Sequence, residues 1–458
     1  MIAPGGPSLW QATLPAGARG ARSVLDGDIV ADVAIAGAGY TGLWTAYALA
    51  QADPTLRIVV CEREAVGFGA SGRNGGWCSA LFAGSRAATA RTHGRGAVID
   101  MQRAMFATVN EIERVVAHEG IECDWARGGT VQVATIPAHL DRLRSELDDH
   151  RSWGFGKDDY RELSPAESAA LIGCRPNLGG LFTPWCAAIH PAKLAHGLAR
   201  AVERKGVTIY EHTPVRAIER GGLRTDLGRV RAEIVVRATE AFSAELPGLR
   251  RAIAPVYSLM IATDPLPDAF WAQAQLATRP TFADFRHMII YGQRTADDRL
   301  AFGGRGTPYH LGSRIRPRYD LDPRVFDALH ATLRSLFPGL GDAPVTHRWG
   351  GAVGVPRDWY PSVGFDRVNG VAWAGGYIGD GVSTTNLAGR TIADLVLRND
   401  TDLVHLPWVG HASPQWEPEP LRWIGVNLSR KLVESIDRAE VAGRDPRRRA
   451  RVLNRLLG

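Results

Sequence analysis

The stretch that decides the fold is VAIAGAGYTGLWTAYALA, residues 33–50. Its glycines Gly37, Gly39 and Gly42 stand in GxGxxG spacing, after a short apolar run and before a helical pattern. Glu62 follows Gly42 by 20 residues, at the end of a second apolar run, LRIVVCE. This full strand–turn–helix–strand context predicts a Rossmann-type site for an adenine dinucleotide, whereas an isolated GxGxxG would be weak evidence.

The residue types in this stretch suit the binding of phosphate and ribose. Gly37 permits the tight turn, Gly39 lets the backbone approach a pyrophosphate, and Gly42 lets the helix pack closely on the strand. The free N–H groups and the positive dipole end of the helix attract phosphates. Glu62 is expected to accept hydrogen bonds from ribose hydroxyls, which disfavours a 2′-phosphate and leaves NAD and FAD open. The expected dinucleotide contacts are Gly37, Gly39, Tyr40, Thr41, Gly42, Glu62 and Arg63.

A second glycine-rich stretch, GFGASGRNGG, follows at residues 67–76. It is close to the GxSxG turn of serine hydrolases, but Arg73 stands where that turn needs glycine, so a hydrolase is disfavoured. Its glycines would let the backbone approach a flat ring, and Ser71, Arg73 and Asn74 carry hydrogen-bonding groups for phosphate or ring oxygens. A flexible surface loop is the alternative. The contacts expected from this stretch are Ala70, Ser71, Arg73, Asn74, Gly75 and Gly76.

The composition is that of an ordinary globular protein, with 458 residues, 45% of them hydrophobic and 22% charged. The 5 cysteines form no CxxC pair, so neither a disulfide framework nor a metal site is predicted. The N-terminus, MIAPGGPSLWQATLP, lacks the basic and apolar regions of a signal peptide, which predicts a cytoplasmic protein. The charge-free run 33–52 is long enough for a membrane span, but its glycine-rich first half favours strand–turn–helix, so no transmembrane segment is expected.

The net charge of +6 is concentrated near the C-terminus. Residues 430–458 contain 9 basic and 4 acidic residues, and RDPRRRARVLNR is the densest part. Such a segment is usually a solvated helix end, and contact with an acidic partner or anionic lipid is the alternative. A basic tail alone is weak evidence for nucleic-acid binding, which is not expected.

The pairing of DVAIAGAGYTGL with GFGASGRNGG resembles the FAD-dependent D-amino-acid-oxidase-like superfamily of amine oxidases. Within it, SLWQATLP, DGDIVADVAIAGAGYTGL and RWGG are similar to the γ-glutamylputrescine oxidase-like branch. The resemblance extends from residue 8 to about residue 400. It implies FAD on a Rossmann-type domain, with an antiparallel-sheet domain covering the flavin face.

The expected fold is therefore α/β: a Rossmann-type FAD-binding domain interleaved with an antiparallel-sheet substrate domain (α+β), plus a helical C-terminal tail. The interleaving is expected because α/β patterns alternate along the chain with short apolar runs broken by turns, as in residues 252–306. The expected segments are an irregular lead-in (1–28), the FAD-binding domain (29–84, 190–250 and 345–405), the substrate domain (85–189 and 251–344) and the tail (406–458).

The resemblance also assigns roles to later positions. EHTPVRAIE resembles the segment whose backbone contacts adenine, which indicates Val215, and VVRATEAFSAELPGL resembles the turn that places Ala238 and Thr239 near the cofactor. WAGGYIGDGVSTTNLAGR resembles the C-terminal flavin loop, followed by a helix whose N–H groups point at the flavin N1/C2 region, which becomes negative on reduction. A plain helix start is the alternative. The contacts expected from this loop are Gly376, Gly379, Asp380, Gly381 and Val382.

Two departures from relatives bear on the chemistry. Some relatives tether the flavin through a histidine in the second glycine loop or a C-terminal cysteine, but this loop has no histidine and no cysteine lies beyond Cys186. Non-covalent FAD is therefore expected. Relatives that resemble sarcosine oxidase place a lysine over the flavin to activate oxygen, and no lysine here falls in a strand expected to face the flavin. The electron acceptor is thus O2 or another oxidant.

The substrate side offers weaker signals. In RHMIIYGQR, His287, Ile289 and Tyr291 would share one face of a strand, so His287 and Tyr291 are candidates to line the pocket. Trp349 in RWGG is a candidate wall for an amine, and Arg305 could pair with a substrate carboxylate. Packing or solvent-facing roles are the alternatives for all four.

The leading hypothesis is FAD-dependent oxidation of a primary or secondary amine to an imine, followed by hydrolysis to an aldehyde or ketone. The partners would be a small-molecule amine and an electron acceptor. One alternative is a D-amino acid or glycine oxidase, which would require a substrate carboxylate. The other is a flavin-binding assembly partner without turnover, which would use the basic tail for docking.

Overall fold

The computed structural model describes residues 8–457 and the side chains of residues 8–453. The helices are α1 (Leu9–Ala12), α2 (Tyr40–Ala52), α3 (Arg86–His118), α4 (Pro137–Ser152), α5 (Pro165–Leu171), α6 (Pro191–Arg204), α7 (Asp268–Ala274), α8 (Pro323–Leu336), α9 (Gly381–Leu397), α10 (Leu421–Val441) and α11 (Arg447–Leu457). Short 3₁₀ helices cover Ala70–Gly72, Glu240–Glu245, Pro317–Asp320, Pro338–Leu340 and Asp402–His405.

The strands fall into four sheets. They are β1 (Ile29–Val30), β2 (Val33–Ala36), β3 (Ile58–Cys61), β4 (Trp77–Ser79), β5 (Thr130–Val133), β6 (Arg161–Leu163), β7 (Gly180–Thr183), β8 (Cys186–Ala188), β9 (Thr208–Tyr210), β10 (Ala217–Glu219), β11 (Gly222–Arg224), β12 (Arg229–Arg231), β13 (Ile234–Arg237), β14 (Ala254–Thr263), β15 (Thr281–Asp284), β16 (Ile290–Arg294), β17 (Leu300–Gly304), β18 (Val345–Val355), β19 (Ser362–Asp366) and β20 (Val371–Gly375).

The first large sheet is the predicted Rossmann-type sheet. Its six strands lie in the order β19-β20-β13-β2-β3-β9, and all neighbours run parallel except β19 and β20. The strands VAIA and IVVC are buried along their whole length, as expected for a parallel sheet covered on both faces. The turn after β2 and the helix α2 then lead into β3, which confirms the strand–turn–helix–strand prediction.

The second large sheet has eight strands, in the order β18-β14-β17-β16-β15-β5-β7-β6. Its pairs are antiparallel except for β5 with β15, so the predicted antiparallel sheet is confirmed with one parallel pair. The strand β18 belongs to this sheet, since it pairs with β14 along ten residues. The start of the FAD-binding segment at residue 345 stays a prediction.

Two smaller sheets complete the architecture. One has the order β1-β12-β11-β10 and packs beside the six-stranded sheet, and the other is the ribbon of β4 and β8. The ribbon continues directly from the second glycine loop, since β4 begins at Trp77. The loop is thereby held next to the eight-stranded sheet.

The N-terminal lead-in, expected to be irregular over residues 1–28, contains one short helix, α1, and no other helix or strand before β1 in the part that the structure describes. The helix α1 is capped by Ser8 and buries Leu9 and Trp10. Residues 1–7 of the predicted lead-in lie outside the described residues. At the other end, residues 421–457 form α10 and α11, and the helical tail is confirmed. Among the described helices none has the length and apolarity needed to cross a membrane.

Two helices that follow strands of the six-stranded sheet control the geometry of the site. The helix α2 follows β2, and α9 follows β20. Because parallel strands end at the same edge of a sheet, the N-termini of both helices lie at that edge. Neither N-cap residue, Gly39 or Asp380, caps its helix with a side-chain hydrogen bond. Of the first N–H groups of α2, that of Tyr40 is bound by the Ser71 hydroxyl; a helix start without an N-cap side chain leaves N–H groups for a ligand.

The two helices cross at very short range. A Cβ atom at Gly389 of α9 would lie 2.6 Å from the backbone carbon of Trp44 and 2.7 Å from the backbone nitrogen of Thr45 in α2. We expect Gly389→Ala to destabilise the fold by about 1–3 kcal/mol, because the helices must separate to admit the methyl group. Thermal unfolding of the apoprotein measures the effect as a lower Tm.

The matched control is Gly425→Ala, at a glycine of α10 with nothing within 4 Å of the added Cβ. Alanine favours the helix there, so this variant should unfold at the wild-type temperature or slightly above it. Equal Tm values for the two variants would contradict the proposed close crossing.

Candidate functional site

A cavity of about 520 Å³ lies between the two large sheets. At one end it is lined by Glu62, Val215 and Phe242, and at the other by Tyr291 and Arg305. Both helix N-termini open into it, through Gly39 of α2 and Gly381 of α9. One continuous cavity therefore connects the dinucleotide turn with the eight-stranded sheet.

The first glycine turn has the close approaches that its sequence predicts. Gly37 has φ +105°, and a Cβ there would lie 2.7 Å from the carbonyl oxygen of Ala238. A Cβ at Gly42 would lie 2.0 Å from the carbonyl oxygen of Gly37. Gly37, Gly39, Tyr40 and Thr41 line the cavity, whereas Gly42 does not, so Gly42 serves the packing of helix on strand.

Glu62 and Arg63 lie at the nucleotide end of the cavity. The Glu62 carboxylate accepts hydrogen bonds from the backbone N–H groups of Ala38 (2.8 Å) and Glu64 (3.0 Å). Burial raises the pKa of Glu62, and the hydrogen bonds from these two N–H groups partly offset that rise by stabilising the carboxylate. The Arg63 guanidinium lies over Phe242 and pairs with Glu245 at 2.8 Å. Val215 lines the same end.

The side chains of the second glycine loop mostly bind protein atoms. The Oγ of Ser71 accepts the Tyr40 N–H at 2.8 Å, which joins the two glycine loops at the start of α2. The Asn74 amide donates to the carbonyls of Ala70 and Ser71 and accepts the Gly76 N–H. The expectation that the Asn74 side chain offers its hydrogen bonds to a ligand is therefore wrong, because the turn itself uses them.

Arg73 is also engaged. Its guanidinium donates to the carbonyl of Gly350, to the carbonyl of Phe68 and to the Asp320 carboxylate at 3.1 Å. Burial raises the pKa of Asp320 to about 6, and Arg73 opposes that shift. Arg73 still lines the cavity together with Ala70, Ser71, Asn74 and Gly75, while Gly76 packs against Gln293 and Ile189 outside it.

Four consecutive carbonyls of this loop are bound from behind by four different side chains. The donors to Gly72, Arg73, Asn74 and Gly75 are, in that order, Ser8, Trp349, Trp10 and Gln293, at distances of 2.7–2.9 Å. None of these donors lines the cavity. The carbonyl oxygens are therefore held away from the cavity, which leaves its wall to the rest of the loop backbone.

This arrangement corrects the expectation for Trp349. The side chain is 1% exposed and packs edge-on against Trp10, so it supports the glycine loop and does not form a wall for substrate. Within β18, Trp349 pairs with Met260 in a register that turns its ring to the side of α1. Trp349 of RWGG therefore supports the glycine loop through the Arg73 carbonyl, where a wall for the amine was expected.

His287 also lies outside the cavity. The strand β16 begins at Ile290, so His287 belongs to the preceding loop and does not share a strand face with Tyr291. Its Nε2 lies 2.8 Å from the Arg142 guanidinium, which binds Glu440 of α10 through two hydrogen bonds. His287, Asp437 and Glu440 offer ligand atoms within 4.8 Å of one another, but Arg142 occupies the cluster as its cation.

Tyr291 and Arg305 face the cavity as expected. The ring of Tyr291 fits against Gly75 and Gly303, where added Cβ atoms would come within 2.7 and 2.5 Å of it, and its hydroxyl bonds Ser258 at 2.8 Å. Trp77 lines the cavity with its ring nearly perpendicular to that of Tyr291. These aromatic rings form a rigid wall.

The flavin loop contributes Gly379, Asp380, Gly381 and Val382 to the cavity. Arg305 donates to the carbonyl of Ile378 at 2.5 Å. Burial raises the pKa of Asp380 to about 7, although the positive charge of Arg305 opposes the shift. Gly376 does not line the cavity, and its N–H donates to Glu240 at 2.8 Å.

Sequence reasoning missed several residues of the cavity. Glu240 follows Ala238 and Thr239 and lines the wall with them; burial raises its pKa to about 7. Glu146 and His150 of α4 also line the cavity, where the His150 ring stacks on that of Tyr160. The sequence of α4 carries no local signal that one face of this helix meets a cavity.

The comparisons with known proteins agree with this architecture. The family described as FAD dependent oxidoreductase (DAO) matches residues 32–395. The γ-glutamylputrescine oxidoreductase of Escherichia coli (strain K12) is 30% identical over 401 residues, which covers 84% of this chain and 89% of that protein. A probable oxidoreductase OrdL of Haemophilus influenzae is 28% identical over 383 residues, covering 81% of this chain and 84% of that protein.

Among solved structures, the glycine oxidase of Geobacillus kaustophilus superposes with a TM-score of 0.70 at 22% identity, covering 83% of this chain and 99% of that chain. That likeness shows a shared fold. The family match and the 30% identical relative together show that the chain belongs to the DAO family of FAD-dependent oxidoreductases.

Proposed function

We propose that this FAD-dependent oxidoreductase oxidises a primary or secondary amine to an imine, which water hydrolyses to an aldehyde or ketone. The observation that carries the proposal is the single cavity that connects the dinucleotide turn to an aromatic wall on the eight-stranded sheet. The similarity to a γ-glutamylputrescine oxidoreductase supports the same chemistry. The relatives are oxidoreductases, which argues against the alternative of an assembly partner without turnover.

The residues of the cavity fit FAD. The pyrophosphate would lie at the N–H groups of Gly39 and Thr41, because the N-cap residue Gly39 has no side chain to cap the helix. The Tyr40 N–H between them is already bound by the Ser71 hydroxyl, which a Cβ at Gly39 would approach to 2.9 Å. Glu62 and Val215 would hold the adenosine. When bound, FAD supplies a ring that accepts a hydride at N5.

The flavin end would be held by backbone. Gly75 and the N–H groups of Gly381 and Val382 line this part of the cavity, and the α9 dipole favours negative charge there. We propose that FAD is bound non-covalently, since the second glycine loop contains no histidine or cysteine. The cavity-lining thiol, Cys61, lies at the other end, where burial raises its pKa to about 12.

The chain's own residues would bind and orient the amine. Tyr291 and Trp77 present rigid faces against which an alkyl chain or a cationic group can pack. Enclosure between the two sheets removes water and lowers the pKa of a buried amine, which favours the neutral form that can be oxidised. Within the described part of the chain no lysine that could activate oxygen lines the cavity. We therefore propose either O2 or another oxidant as the acceptor of the electrons.

The glycine at the start of α2 tests the placement of FAD. We expect Gly39→Ala to weaken FAD binding about tenfold or more, because its Cβ displaces the pyrophosphate from N–H groups whose hydrogen bonds to charge are worth roughly 1.5–3 kcal/mol each. Titration of the apoprotein, followed by quenching of flavin fluorescence, measures the Kd.

The control for this titration is the double variant Gly39→Ala with Ser71→Ala, which removes the hydroxyl that the new Cβ would meet. Binding should remain weak, because the methyl group still blocks the phosphates. If Gly39→Ala binds FAD as tightly as the wild type, the pyrophosphate does not lie at this helix start.

The proposed reaction has a direct spectroscopic test. Under anaerobic conditions, an amine substrate should bleach the oxidised-flavin absorbance of the holoenzyme, because the hydride passes to the bound cofactor. A stopped-flow screen of polyamines, γ-glutamyl amines, N-methyl amino acids and D-amino acids would identify the class. A holoenzyme that dithionite reduces but none of these amines reduces would contradict the proposal.

Arg305 favours a second candidate function, oxidation of a D-amino acid or glycine. Its guanidinium faces the cavity. Among the described residues it forms no salt bridge and donates to the Ile378 carbonyl, so it could bind a substrate carboxylate. If so, Arg305→Ala should raise KM for amino acids at least about tenfold, from the loss of a charged hydrogen bond worth roughly 1.5–3 kcal/mol. KM for plain amines should change little.

Arg305→Lys is the matched control, since it keeps the positive charge and should retain part of the preference for acids. Equal changes of KM for acids and plain amines would mean that Arg305 acts through the Ile378 carbonyl on the flavin loop. That result would leave plain amine oxidation as the better-supported function.

A further inference from the structure

Glu240 has an unusual backbone position. It directly follows the turn after β13 and has φ +42°, a left-handed conformation that is uncommon for residues other than glycine. Such a conformation costs on the order of 1–3 kcal/mol and persists only where the surroundings impose it. The side chain that it directs inward is a carboxylate on the wall of the cofactor cavity.

The carboxylate joins three segments of the chain. One oxygen accepts the Gly376 N–H at 2.8 Å, at the start of the flavin loop. The other oxygen lies close to Gly354 near the end of β18, where an added Cβ would be 3.0 Å from it. A Cβ at Gly375 would be 2.9 Å from the first oxygen. Only glycines fit on both sides, so the carboxylate is closely enclosed.

The hydrogen-bond donors around Glu240 are neutral. Burial raises the pKa of Glu240 to about 7. The backbone N–H groups of Gly376, Gly354 and Tyr377 oppose this rise, and no charged side chain contributes to it. A buried carboxylate without a cation gains a proton readily when further negative charge is placed nearby. Glu240 is therefore placed to respond to the charge of the cofactor.

The other titratable groups of the same wall differ in their partners. Tyr377 bonds Thr41 at 3.0 Å, and burial raises its pKa far above the neutral range. The positive charge of Arg305 lowers the pKa of Asp380, against the effect of burial. Glu245, on the same segment as Glu240, pairs with Arg63 at 2.8 Å. The experiment must therefore distinguish proton uptake by Glu240 from proton uptake by Asp380.

We propose that Glu240 is a positioning residue that ties the β13 turn to the flavin loop and takes up one proton from solvent when the bound FAD is reduced. The hydride brings two electrons and one proton to the cofactor, which leaves one additional negative charge in the cavity. The α9 N-terminus stabilises that charge on the ring, so the solvent proton binds the Glu240 carboxylate. Reoxidation of the cofactor releases it.

The reduction potential of the bound FAD, measured against pH, tests this inference. For a two-electron couple, each proton taken up changes the reduction equilibrium tenfold per pH unit, which is 29.6 mV. Above the pKa of Glu240 in the oxidised holoenzyme the wild type should show the slope of two protons, and below it the slope of one, because the carboxylate is then already protonated. Glu240→Gln should show the slope of one proton throughout. Reduction by dithionite with a reference dye needs no amine, so the result is independent of the proposed substrate class.

Asp380→Asn is the matched control and should keep the two-proton slope. The inference is overturned if Glu240→Gln keeps that slope, if Asp380→Asn loses it, or if the wild type shows one proton throughout. Should Glu240→Gln fail to bind FAD, proton uptake by the wild-type holoenzyme decides. A pH indicator in weak buffer, with the protons released by oxidation of dithionite subtracted in a blank, should register two protons per FAD reduced at a pH above the pKa of Glu240. One proton at that pH would refute the assignment.

Discussion

The site depends on one constraint: two helices must begin at the same edge of a parallel sheet and cross closely behind it. β2 and β20 belong to the same sheet and end at that edge, so α2 and α9 start side by side. The glycine at the crossing, Gly389, lets the helices approach at backbone contact. Two open helix N-termini are thereby directed into one cavity, where they can stabilise a pyrophosphate and a reduced ring.

The second glycine loop forms part of the wall of this cavity. Side chains from α1, β16 and β18 hold four successive loop carbonyls from behind. The loop contains five glycines between Gly67 and Gly76, and flexible backbone of this kind would not keep one shape without such anchors. The helix α1 therefore supports the loop without lining the cavity, whereas the antiparallel sheet both anchors the loop and lines the cavity, for example through Tyr291.

Much of the cofactor side could be predicted from the sequence, because phosphate-binding turns have local signatures. The spacing of Gly37, Gly39 and Gly42 depends only on a strand, a turn and a helix that are contiguous in the chain. The substrate side depends on register between distant strands. Because β16 begins at Ile290, His287 lies in the loop before the strand and not on the strand face where it was predicted. The register of β18 against β14 places the Trp349 ring on the side of the N-terminal lead-in.

Glu240 shows a different limit of sequence analysis. A glutamate after a strand is ordinarily expected to face solvent, and its burial here follows from the left-handed backbone and from glycines far along the chain, Gly354 and Gly375. Those contacts exist only in the folded protein. Polar residues enclosed in this way are therefore found from the structure, whereas the glycine turns that hold phosphates are found from the sequence.

A crystal structure of the holoenzyme would test the central claim most directly. The account predicts FAD in the cavity between the two large sheets, with the pyrophosphate oxygens within hydrogen-bond distance of the N–H groups of Gly39 and Thr41. The pyrimidine edge of the ring should lie at Gly381 and Val382, with no covalent bond to the protein. A cofactor bound elsewhere, or one whose phosphates lie away from the start of α2, would contradict it.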